Sequence, residues 1–137
     1  MTQFELSVTE QKRRREIADH TRQMILSKMD VVDEDETSLM TSFCNYYLQI
    51  SFSELHPLMV ICLAKSLEHP SSTEQRKIIN HLNLQSILGS HAINDDVGCY
   101  AYRATQWLDA EMGEKRFFEI LDRCVDEADR GYHKLAG

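Results

Sequence analysis

The chain has 137 residues with 15 Lys+Arg against 22 Asp+Glu, a formal charge of −7, and hydrophobic and charged fractions of 42% and 27%. That composition is ordinary for one globular domain and argues against global disorder. No apolar run approaches the roughly 18 residues a membrane helix needs, and Met1-Thr2-Gln3-Phe4-Glu5 lacks the basic start and apolar stretch of a secretory signal.

In chain order the pattern reads as helical. Ser7 followed by Glu10 forms the sequence of a capping box, which predicts a helix over about 8–29. Ile17, Met24, Ile25 and Met29 make its apolar stripe, whereas Thr9 to Glu16 holds no apolar residue, so that half is expected to project into solvent or lie on a partner. Asp30 to Glu36 is an acidic linker. Leu39, Phe43, Tyr46 or Tyr47, and Ile50 recur at steps of three and four, which predicts a second helix over about 36–49.

Pro57 suits a first helical turn, and Leu58 to Ala64 is apolar on every side, as in a central helix covered by neighbours. Pro70 closes it. Ser71 with Glu74 and Ser72 with Gln75 are overlapping capping boxes for a helix through Asn83, and Leu84 to Ile93 reads as a helical turn and loop. Val97, Tyr100, Ala101, Ala104, Trp107, Leu108 and Met112 then form an amphipathic stripe over about 94–112. A last helix is expected over 114–130, with Glu119/Arg123 and Asp126/Arg130 paired four apart. The expected fold class is all-α: a single domain, 1–137, built as a compact bundle of five or six helices with loose termini at 1–7 and 132–137.

Several chemistries are excluded by pattern. There is no GxxxxGK[ST], GxGxxG, GxSxG or HExxH. Cys44, Cys62, Cys99 and Cys124 have no CxxC spacing and no His within four residues, so the simplest reading is reduced, mostly buried thiols in the cytoplasm. His81, His91, Asp95 and Asp96 could gather in space, but their spacing is not that of a metal site, and solvent-facing or capping histidines are the simpler reading. No cofactor and no enzymatic activity are expected.

What remains points to binding. Lys12, Arg13, Arg14 and Arg15 encircle one helical turn, flanked by Glu10, Glu16 and Asp19. Residues 1–29 carry six bases and four acids, whereas 30–56 carry six acids and no Lys or Arg. The acidic run Asp33, Glu34, Asp35, Glu36 is therefore a natural docking partner for the first helix, within one chain or between two. Adjacent aromatics cannot both face one stripe, so one of Tyr46/Tyr47 and one of Phe117/Phe118 must lie to the side. Tyr46 and Phe118 are taken as the candidate contact residues. The functional expectation is a protein-binding adaptor or regulator whose partner is another protein or a second copy of itself. The alternatives are nucleic-acid association through Lys12 to Arg15, and an acidic decoy that binds a basic partner through Asp33 to Glu36.

Overall fold

In residues 38–66 and 89–107 the period of two prevails over the period of 3.6. Leu48, Ile50 and Phe52 alternate with Tyr47, Gln49 and Ser51, and Tyr100, Tyr102 and Ala104 alternate with Ala101, Arg103 and Thr105. In each set the first group is buried and the second is half-buried or exposed, the signature of strands with one covered face. A computed structural model describes residues 7–53, 56–69 and 71–136. Its elements in chain order are α1 (Val8–Lys28), β1 (Asp33–Glu34), β2 (Ser38–Phe43), β3 (Tyr46–Phe52), β4 (Leu58–Ser66), α2 (Thr73–Gln85), β5 (Gly89–Asn94), β6 (Cys99–Trp107) and α3 (Glu114–Ala136).

The fold is α+β, not an all-α bundle. A six-stranded sheet in the order β1-β2-β3-β4-β6-β5 is antiparallel at every pairing. The helices expected at 36–49 and 94–112, and the apolar helix at 58–64, are strands instead. The apolar run of β4 owes its character to its central place: Met59, Ile61 and Leu63 are buried on the helix side, and Leu58, Val60, Cys62 and Ala64 are half-buried on the other. Residues 89–94, read as part of a loop, form an edge strand.

α1 and α2 stand where capping signals predicted them, and α3 where its apolar periodicity did. Ser7 Oγ accepts the amide of Glu10 at 3.1 Å, and Ser72 and Gln75 complete a full capping box at the start of α2. The tail expected to be loose at 132–137 continues α3 through Ala136. Apart from Ser7, the loose terminus expected at 1–7 lies outside the described residues.

One core joins the helices to the sheet. Leu39, Leu48, Ile50, Ile61, Leu63, Tyr100 and Tyr102 meet Phe117, Leu121, Cys124 and Ala128 of α3 and Ile25 of α1. Tyrosine hydroxyls tie α3 to the strands: Tyr46 donates to Asp129 and Tyr102 to Glu127, each at 2.6 Å, and Tyr132 donates to the carbonyl of Ser66 at 3.1 Å. Each of these hydroxyls brings an acceptor with it, which removes the cost of placing it in or beside the core. The Lys65 ammonium sits over the rings of Tyr46 and Tyr132 at 4.7 and 4.6 Å.

Candidate functional site: the bare face of the sheet

Because the helices pack on one side, the sheet keeps a second face on which no described element lies. Register assigns its residues in rows. Gln49, Cys62, Arg103 and Ser90 run across β3, β4, β6 and β5, and Tyr47, Ala64, Ala101 and Ala92 form the next row. Ser51, Val60 and Thr105 follow, and Leu58 pairs with Trp107 at one end. From β2 to β5 the only charged side chain on this face, among the described residues, is Arg103. That is a sharp departure from a chain whose charged fraction is 27%.

The face also carries both exposed aromatics among the described residues: Tyr47 at 53% and Trp107 at 66% exposure. Leu58 and Ala64, their partners on β4, are separated by six residues, about 20 Å at the usual strand rise. Two aromatic anchors thus flank a floor of small and weakly polar side chains. Depletion of charge with exposed Tyr and Trp is the composition of a protein-binding surface. The Cys62 thiol opens onto this floor; burial raises its pKa and nearby Arg103 only partly offsets that.

The residues singled out from sequence fall elsewhere. Tyr46, taken as the contact aromatic, is 1% exposed and bonded to Asp129; its neighbour Tyr47 is the one that faces out. The choice depends on which face of β3 is covered, and the helical reading had no such faces. Phe118 is half-buried, edge-on to Phe117 with ring centroids 5.0 Å apart, in a groove of about 650 Å³ on the outer side of α3. The groove is lined by Glu114, Lys115, Glu119, Asp122, Arg123 and Asp126, so charged side chains of both signs, with acids in excess, surround the ring.

The basic cluster is engaged by its own helix. Glu10 accepts from Arg13 at 2.9 Å and from Arg14 at 3.0 Å, and Lys12 stands 3.9 Å from Glu16. The bonds from Arg13 and Arg14 hold the Glu10 carboxyl down at about 2. Arg15 is exposed. The contact between α1 and the acidic run runs through a different residue: the Arg22 guanidinium donates to the carbonyls of Asp35 and Glu36 and lies 3.8 Å from the Glu34 carboxylate. Asp35 turns its carboxylate to the amides of Thr37 and Ser38, which with its hydroxyl contact to Thr37 keeps its pKa below the ordinary value against the opposing effect of burial. Asp33 accepts the amide of Glu34, and Glu36 is exposed.

The scattered His and Asp residues do not converge. His81 is exposed, Asp95 lies 3.7 Å from Arg76, and Asp96 is exposed in the β5–β6 turn. His91 is 5% exposed, with both ring nitrogens bonded to hydroxyls. All four cysteines are free, but only Cys124 is buried; that burial raises its thiol to about 11. No helix among the described residues is long and apolar enough to cross a membrane.

No protein-family model and no curated protein matches the chain. Solved structures share its fold. A chain from the structure of the HopA1-SchA chaperone-effector complex is similar with a TM-score of 0.54 at 8% identity, covering 90% of this chain and 99% of that one. YbjN, a putative transcription regulator from E. coli, gives a TM-score of 0.60 at 12% identity over 82% of this chain and 86% of its own. A chain from the Yersinia pestis type III secretion chaperone SycH in complex with a stable fragment of YscM2 gives 0.56 at 11% identity over 85% and 98%. At these identities the likeness is one of fold.

Proposed function

We propose that the protein is a non-enzymatic binding module that takes a weakly charged segment of another protein on the bare face of its sheet. The observation that carries this reading is the charge-poor face between Tyr47 and Trp107. Two of the similar structures are complexes of chaperones with the proteins they hold, which supports a protein ligand for this fold. The nucleic-acid alternative draws on Lys12 to Arg15, half of whose charge Glu10 and Glu16 offset within α1. It is the weaker reading.

The test replaces the two anchors. A Tyr47→Ser/Trp107→Ser variant that keeps its circular dichroism spectrum should lose proteins that the parent retains from the source cell, quantified by mass spectrometry. A synthetic segment of a retained protein should then shift the emission of Trp107, the single tryptophan. An unchanged set of retained proteins, or nucleic acid in place of protein, overturns the proposal.

A further inference from the structure

His91 lies in β5, facing the helices, with a hydrogen bond at each ring nitrogen. Nδ1 is 2.6 Å from the Tyr100 hydroxyl and Nε2 is 2.7 Å from Ser86 Oγ. Ser86 gives its one hydroxyl proton to the carbonyl of Leu82 at 2.9 Å, so it meets the ring as an acceptor. With the Ser86 proton on Leu82, Nε2 carries the ring proton and Nδ1 receives the hydroxyl proton of Tyr100. The neutral ring is fully satisfied as it stands.

A second proton is disfavoured there. On Nδ1 it would face the Tyr100 hydroxyl proton, which would have to turn away, and no described residue other than His91 bonds that hydroxyl. The room to rearrange is small, since a Cβ added at Gly131 of α3 would stand 2.4 Å from Nδ1 and 2.8 Å from the Tyr100 oxygen. The edge of the ring also packs against Tyr102, with centroids 5.3 Å apart.

The groups around the ring divide by element. From α3, Glu127 favours a charged imidazole, whereas Cys124 and Tyr132 contribute neutral groups and Asp129 is taken up by Tyr46. From β6, Tyr100 and Tyr102 are held protonated by burial. From α2 and the residue that caps its end come Asn83 and Ser86, both uncharged. From β4, the Lys65 cation sits over Tyr132, whose ring packs on Tyr100.

We propose that His91 is a proton-operated latch on the corner where α2 joins β5. Neutral, it fastens Ser86 at the end of α2 and Tyr100 of β6 to one ring. Protonated, it lets the corner open and bares the β5 main chain that Asn83 covers. The direction in pH follows from burial, which outweighs Glu127 and holds His91 below its ordinary 6.5. The open state takes up a proton as pH falls through about 6.5 and the closed state resists it, so the corner weakens downward from that pH and is unaffected above it.

Two measurements test the latch. In a proton NMR titration of the parent protein, His91 should titrate below the exposed His20, His56, His69, His81 and His133. In hydrogen exchange corrected for intrinsic rates, amides of β5 should lose about tenfold in protection for each pH unit between 6.5 and the His91 midpoint, the change that uptake of one proton produces. His91→Gln, which can still donate to Ser86, should abolish that pH dependence. A His91 midpoint at or above those of the exposed histidines overturns the latch even if His91→Gln does not fold. So does an equal pH dependence in His91→Gln.

Discussion

The side-chain amide of Asn83 pairs with both main-chain groups of His91, its oxygen accepting the N–H at 2.7 Å and its nitrogen donating to the carbonyl at 3.0 Å. Asn83 belongs to α2 and β5 is an edge strand, so one side chain supplies what a neighbouring strand would. Sheet edges left open invite pairing with other chains, and covering them is the usual defence. Asn83→Ala removes both bonds and should cost about 1–3 kcal/mol in urea unfolding. It should also produce concentration-dependent association in sedimentation velocity. A variant as stable and as monodisperse as the parent would show that the amide does not guard the edge.

Glu127 does the parallel work one turn of chain earlier. Its carboxylate accepts the Tyr102 hydroxyl at 2.6 Å and the amides of Ile87, Leu88 and Gly89 at 2.8 to 3.2 Å. Burial alone would raise its pKa, but the hydroxyl and the three amides outweigh it and hold it below the ordinary value. Its contribution is therefore full above the ordinary carboxylate range and lost as pH falls through the lowered value. Glu127→Gln turns amide protons toward backbone N–H groups and should cost about 2 kcal/mol at pH 7. The difference in urea midpoint between parent and variant should shrink on going from pH 7 to below pH 4. A constant difference would show that the charge itself is not what holds the loop.

Gly131 sets two effects against each other. In a helix interior, Gly→Ala is favourable by about 1 kcal/mol. Here the new methyl would stand 2.4 Å from His91 Nδ1 and 2.8 Å from the Tyr100 oxygen, both in a filled core. Overpacking typically costs about 1–3 kcal/mol. The loss of the His91–Tyr100 bond adds to it, so Gly131→Ala should lower the melting temperature. A higher melting temperature would mean that the His91 ring can yield without cost.

Much of the helical part of this fold can be read from residues 7–10, 72–75 and 114–130, where a cap or a clean 3.6 period is present and unopposed. The sheet is harder to see for a physical reason. In β6, Tyr100, Ala101, Ala104 and Trp107 satisfy helical spacing, while Tyr100, Tyr102 and Ala104 satisfy strand spacing; only burial separates the two. In β4 the residues of the bare face, Leu58, Val60, Cys62 and Ala64, are as apolar as those of the covered face, so the alternation of apolar and polar residues that marks a strand is lost. The bare face is invisible without register, because Tyr47 and Trp107 share a surface only through the pairing of β3 and β6 on either side of β4. The missing clue that would have exposed the first hairpin is its turn, where Cys44 stands in place of the residues that favour a left-handed backbone.

That turn gives a further prediction. Cys44 and Asn45 have φ of 51° and 68°, and Phe43 pairs with Tyr46, which makes a two-residue hairpin loop of type I′. Asn tolerates this backbone and Gly is at ease in it, whereas Cys has no compensating side-chain bond, and a left-handed residue costs about 1–2 kcal/mol. Nor does a charge at Cys44 repay the strain: partial burial, Asp122 and Asp129 all raise its thiol above the ordinary value. Cys44→Asn combined with Asn45→Gly installs the preferred Asn-Gly pair and should raise stability by about 1 kcal/mol, read as a higher urea midpoint at unchanged slope. Because the loop joins two strands paired from Ser38↔Ser51 to Phe43↔Tyr46 within the sheet, the gain should appear in the unfolding of the whole domain. An unchanged or lower midpoint would mean that Cys44 contributes packing at the turn that outweighs its backbone strain.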